Sequence, residues 1–153
     1  MPTPPTAAFA SPLTDRDRTL VLAGIRLALF RAAQDQRLAG RLRQAGDALA
    51  PLLAAAPHHP AVVTEHVRLR LAREDPAGAL RLAREERAAQ RDSLLVAREM
   101  VLALDRLGRP LEAAGVVLEA WAASPVVTDW AQGTLLRLAG TDGLPEFTWL
   151  SFG

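Results

Sequence analysis

The chain has no cysteine, no lysine and no tyrosine, and only seven aromatic residues among 153. Without cysteine there is no disulfide staple, no thiolate metal site and no cysteine nucleophile. All 18 basic residues are arginine, a usage we attribute to the coding bias of a GC-rich bacterial genome. An excess of one charge is also missing. The formal net charge is +1, so no global field draws the chain to nucleic acid. Long hydrophobic runs are missing too. The most apolar early stretch, 19–30, is interrupted by Arg26 and falls short of the roughly 20 residues that span a bilayer. The proline-rich start, 1–14, carries no basic residue and so lacks the opening of a secretory signal. These absences predict a cytoplasmic protein with a disordered N-terminus over 1–14 and no membrane partner.

What is present is globular and helical. Half of the residues are apolar and 23% are charged, a balance that supports a packed core rather than a disordered chain. Charge is unevenly spread: residues 1–91 hold 14 arginines against 9 acids, and residues 92–153 hold 4 against 8. Such a polarised body orients a charged partner or a second copy of itself. Alternating strand patterns are absent before residue 146, while Ala, Leu, Arg and Glu dominate throughout.

Helix starts and stops are written in proline, glycine and capping residues. Thr14 followed by Asp15 and Asp17 predicts a helix over about 15–38, ended by Gly40. A second is expected over about 41–56, kinked or split by Pro51. Pro60 opens a third (60–73), and Asp75-Pro76 a fourth ending near Gln90. Asp92 predicts the start of a fifth (93–107), stopped at Gly108. Pro110 opens a sixth (110–123), and Ser124-Pro125 a seventh (126–139). The body is therefore 15–139, and 140–153 is an aromatic tail.

The elements repeat at 34 residues. Ala45, Ala79 and Ala113 share this spacing, as do Pro76 and Pro110. Gly40 and Gly108 lie two periods apart with Glu74 between them, and Pro57 and Pro125 two periods apart with Arg91 between them. On these residues the chain resembles the tetratricopeptide repeat family, whose unit is a 34-residue helix–turn–helix. The best copy runs from Leu94 to Pro125, carrying Leu107-Gly108, Glu112-Ala113, Val117, Ala120 and Pro125 where the family pattern places them. The copies at 60–91 and 26–57 are weaker, with His66, Arg70 and Arg91, and Gln36, at positions that are normally apolar, aromatic or proline. The resemblance implies an all-α, right-handed α-solenoid of three helix–turn–helix repeats plus a C-terminal capping helix. Its function would be that of a non-catalytic protein–protein interaction adapter or chaperone.

The residues offer no competing chemistry. His58, His59 and His66 are the only histidines, too few and too scattered for a metal site of three or four ligands, so no metal and no cofactor is expected. Glu74-Asp75 and Glu85-Glu86 lie among arginines and read as a solvated, ion-paired helix face rather than an acid–base dyad. No nucleophile elbow surrounds a serine and no glycine-rich phosphate loop occurs. Seven arginines fall between Arg68 and Arg91, but without aromatics among them they lack the stacking that single-strand nucleic-acid binding uses. The chain is expected not to be an enzyme and to have no nucleic-acid partner.

In proteins of this resemblance the first helix of each pair lines a concave groove. Carried over by position, that groove would present Phe30, Gln34 and Arg37, then Thr64, Arg68 and Leu71, then Arg98, Leu102 and Asp105. The Lys/Asn carboxylate clamp of some family members is absent, with Thr64, Arg68, Arg98 and Leu102 in its places. Arginine forks suit carboxylates, so the expected partner is a protein or peptide with acidic and apolar residues. The tail adds Phe147, Trp149 and Phe152 as candidate partner-binding residues. It would dock on its own chain, enter a neighbour's groove as a homo-oligomer contact, or bind a separate protein. The alternative function is a self-assembling structural or regulatory subunit using the tail and the charge asymmetry.

Overall fold

In a computed structural model, residues 12–140 are described; residues 1–11 of the expected disordered start over 1–14, and the tail with Phe147, Trp149 and Phe152, lie outside them. Among the described residues the fold is all-helical, with seven α-helices packed together and no strand. They are α1 (Asp15–Leu38), α2 (Leu42–Ala55), α3 (Pro60–Ala72), α4 (Pro76–Gln90), α5 (Ala97–Arg106), α6 (Pro110–Ala123) and α7 (Thr128–Ala139), the last preceded by a 3-10 turn at Pro125–Val127.

The caps explain the starts. Thr14 and Asp17 form a reciprocal capping box: the Asp17 N–H donates to Thr14 Oγ1 at 3.1 Å and the Thr14 N–H to Asp17 Oδ2 at 3.2 Å. Hydrogen bonding to the carboxylate from the Thr14 side chain, and then from the Thr14 N–H, holds the Asp17 pKa below its usual range. Asp75 accepts from the Gly78 N–H at 2.9 Å to open α4, and Pro60, Pro76 and Pro110 occupy first-turn positions where no amide donor is needed. Pro51 neither splits nor ends α2. It stands on the exposed side, as does Asp47 one turn earlier, so the carbonyl that loses its donor faces water.

The expected start of α5 is corrected. Asp92 does act as a local acceptor, taking the Leu94 N–H at 2.9 Å, but it closes a turn and not a helix. The chain then inserts Leu95 and Val96 into the core, Val96 with a left-handed φ of 48°, and α5 begins at Ala97.

The three turns after α1, α3 and α5 are built alike. Gly40, Glu74 and Gly108 have φ of 76°, 58° and 70°. In each turn this residue donates to the third carbonyl back (Arg37, Leu71, Asp105), each at 3.0 Å. The next residue donates to the fifth carbonyl back (Gln36, Arg70, Leu104), at 2.8, 2.9 and 2.9 Å. This is the Schellman closure, which satisfies the last helical carbonyls and needs a left-handed residue.

Each helix packs on its chain neighbours, and α3 also touches both α1 and α5. Among the described residues the backbones of α2, α4 and α6 do not approach one another as closely; α4 and α6 meet through the Arg84–Glu112 and Arg87–Glu119 side chains. Ala45, Ala79 and Ala113 are all buried, so the 34-residue alanine spacing marks where helices approach closely. The core forms two clusters. One joins α1, α2 and α3 through Ala33, Leu49, Leu52, Val62 and Leu69; the other runs from α3 to α7 through residues such as Val67, Leu104, Val117 and Leu138. Helix α3 feeds both.

Candidate functional site: an arginine-lined hollow

Helices α1, α3 and α5 bring their arginines into one hollow. A cavity of about 390 Å³ is lined by Arg37, Arg68, Leu71, Ala72, Arg98, Glu99, Leu102 and Arg106. Five of these are residues the sequence singles out: Arg37, Arg68, Leu71, Arg98 and Leu102. Phe30, Gln34, Thr64 and Asp105 do not line it. Phe30 is half-buried against the α1–α3 cluster, and Gln34 is half-buried on the same helix. Thr64 donates its hydroxyl to the Pro60 carbonyl at 2.8 Å. Asp105 is bound by Arg137 of α7 at 2.7 Å.

The arginines divide by what holds them. Arg37 engages Glu65 of α3 through both Nε and Nη2, and Glu65 is only 2% exposed. A buried pair of this kind costs desolvation and is needed mainly because either member alone would be worse; it fixes α1 on α3. Arg68 Nε donates to the buried Glu99 of α5 at 3.1 Å and fixes α3 on α5. Arg106 Nη1 donates to the Leu71 carbonyl at 2.9 Å. That leaves Arg98, which is exposed and sits over the Trp130 ring, 5.3 Å from its centroid. Such a stack of an exposed arginine on a half-buried ring contributes about 0.5–1 kcal/mol or more and leaves the guanidinium edge open to an acceptor.

On the other side of Arg98 and Glu99 lies a second hollow of about 370 Å³. Its wall is mostly apolar, from Leu94, Ala97, Ala120, Val126, Val127 and Trp130. Val126 is 90% exposed. Trp121 Nε1 donates to Thr128 Oγ1 at 3.0 Å and ties α6 to the turn that leads into α7. The two hollows therefore form a basic compartment and an apolar compartment that share Arg98 and Glu99.

A third hollow, about 320 Å³ around Arg84, Arg87 and Arg91, has less to offer. Its Arg84 is engaged by Glu112 at 2.9 Å, and Arg87 by Glu119 at 3.3 Å and the Ser93 carbonyl at 2.8 Å. A fourth, of about 210 Å³, holds His66 beside Arg73 and Leu69.

Sequence reasoning missed Glu65, Glu99, Arg106 and Trp130. Glu65 and Glu99 stand 34 residues apart, the same repeat position, and two acids at one inward position were a readable signal of inter-helix pairing. Arg106 and Trp130 had no comparable signal. Among the described residues no group of three or more His, Asp or Glu side chains could hold a metal, and no helix is long and apolar enough to cross a membrane. No protein-family model matches the chain, and neither a curated protein nor a solved structure matches it.

Proposed function

We propose that this chain is a non-catalytic adapter that binds a segment of another protein along α1, α3 and α5. In this reading residues 15–139 form a tetratricopeptide-like right-handed solenoid of three helical hairpins, capped by α7. Two features support that architecture: the Schellman turns recur at 34-residue steps, and α3 packs closely on both α1 and α5, whereas α4 and α6 meet through the longer reach of the Arg84–Glu112 and Arg87–Glu119 ion pairs. A stack whose closer contacts lie on one side curves toward that side and lines it with α1, α3 and α5.

The observation that carries the function is Arg98 standing between a basic and an apolar hollow. A partner segment with a carboxylate and, a few residues on, a large apolar side chain satisfies both compartments. Glu65 and Glu99 neutralise Arg37 and Arg68, and the Leu71 carbonyl holds Arg106, which makes Arg98 the arginine available to a ligand.

The test is titration of the full chain with fluorescein-labelled peptides that alternate Glu and Leu, against the same peptides with Gln for Glu. The acidic peptides are expected to bind at least about tenfold tighter, equivalent to about 1.4 kcal/mol. Added salt should weaken them, and Arg98→Ala should weaken them severalfold while altering Trp130 emission. Equal affinity for both peptide sets, or indifference to Arg98→Ala, would overturn the reading.

A further inference from the structure

Among the described residues the first half of α1 has nothing to pack on. The helix is 24 residues long and α2, which turns back along it, is 14. About ten residues of α1 therefore project past the pair, about 15 Å at the usual rise. Over 19–30 the only charged side chain is Arg26, so this segment is apolar on nearly every side, the pattern of a covered helix. Yet every residue from 15 to 28 is exposed, Leu20 at 61%, Leu22 at 53% and Leu27 at 52%. Contiguous exposed apolar surface of this kind is an interaction surface.

The sequence of one face says what covers it. Asp17, Leu20, Val21, Gly24, Leu27, Ala28 and Arg31 share a face through their three-, four- and seven-residue spacings, and all are exposed. The set is symmetric about Gly24. Asp17 and Arg31 lie seven residues to either side, Leu20 and Ala28 four, and Val21 and Leu27 three. A two-fold axis at Gly24, perpendicular to the helix, puts acid against base at both ends and apolar against apolar between them, the self-complementarity an isologous dimer requires. A parallel pair would instead set Asp17 against Asp17 and Arg31 against Arg31.

Gly24 adds an independent observation. A mid-helix glycine is unfavourable relative to alanine, and a Cβ at Gly24 would meet nothing within 4 Å among the described residues. Intrachain packing therefore does not call for glycine there, whereas close approach of a second helix backbone does. Arg31 has no ion-pair partner among the described residues, so its charge is available to the partner's Asp17.

We propose that α1 is a dimerisation element: two copies of this chain pair antiparallel across Gly24, each Asp17 facing the partner's Arg31. The surface is separate from the arginine-lined hollow, so the dimer presents two peptide-binding sites.

The test uses the absence of cysteine. In the full chain, Gly24→Cys is expected to form an interchain disulfide in a glutathione redox buffer, since the axis brings the two positions within the roughly 7 Å that a disulfide spans. Arg31→Cys alone should not, because its two copies would lie about 20 Å apart along the helices. The double variant Asp17→Cys/Arg31→Cys should. Sedimentation equilibrium should give a monomer–dimer mass for the unmodified chain up to about 200 μM, with Gly24→Arg weakening the dimer at least about tenfold and leaving helical circular dichroism unchanged. A chain that is monomeric throughout overturns the proposal. So does a dimer indifferent to Gly24→Arg, or one lost only when residues 141–153 are removed.

Discussion

Burial works against the charged form of His66. The ring sits half-buried on α3, and desolvation, reinforced by Arg70 and Arg73 and opposed by Glu86, holds its pKa below the ordinary 6.5. The unfolded chain therefore binds this proton more readily than the folded one. The stability contribution is complete above about pH 6.5, and is lost as the pH falls through the depressed folded value. The thermal midpoint should drop between pH 7.5 and 5.5 (both chosen around that reference), and His66→Gln should flatten the drop; equal slopes in the two proteins would refute this. The same residue scale separates what was legible in the site from what was not. Arg98 and Leu102 were legible because a 34-residue frame and exposed helical positions suffice to place them. Arg37 was placed on the right face, but its capture by Glu65 depends on how α1 leans on α3, which no spacing within α1 encodes. Leu71 lines the hollow and is also buried in the core, so an inward position serves packing and surface together.

At the scale of the elements, one turn departs from its siblings. The Schellman closures after α1 and α5 use glycine, and the one after α3 uses Glu74 at φ 58°. A left-handed residue with a Cβ costs roughly 1–2 kcal/mol, of which glycine's greater unfolded-state freedom would take back about 0.4–1. Glu74→Gly should therefore stabilise by up to about 1 kcal/mol and raise the midpoint by about 2–4 °C. Gly108→Ala should lower it, through backbone strain alone, since its new Cβ would meet nothing within 4 Å. A fall in midpoint for Glu74→Gly would show that this side chain holds the turn by some other means. Helix boundaries were legible where backbone chemistry is local: Pro60, Pro76 and Pro110 at the starts, Gly40 and Gly108 at the ends. The start of α5 was not. Asp92 carries a cap signal, but the competing demand is tertiary: burying Leu95 and Val96 in the larger core cluster outweighs helix propensity, with Val96 in a left-handed conformation. Pro51 does not split α2, because a proline on the wet side of a helix removes a bond that water replaces.

For the whole molecule, cohesion passes from helix to neighbour. Contacts run along the chain, and among the described residues the two core clusters meet through α3, which gives Val62 and Leu69 to one and Val63, Val67 and Leu71 to the other. The cluster of α1 and α2 is the smaller, and it is tied to the rest by α3 packing, by the Arg37–Glu65 pair and by Arg73 reaching the Leu42 carbonyl at 3.1 Å. In such a quasi-linear stack the end with fewer buried neighbours opens first. Amide hydrogen exchange of the dilute protein should show the weakest protection in α1 and α2 and the strongest in α5 and α6, which are flanked on both sides. As concentration rises, protection should increase over 15–31 while that of α5 and α6 stays the same, because pairing across Gly24 covers only the projecting part of α1. Uniform protection along the chain would mean that the two clusters unfold as one cooperative unit, with α3 transmitting the stability of the larger cluster undiminished to the smaller.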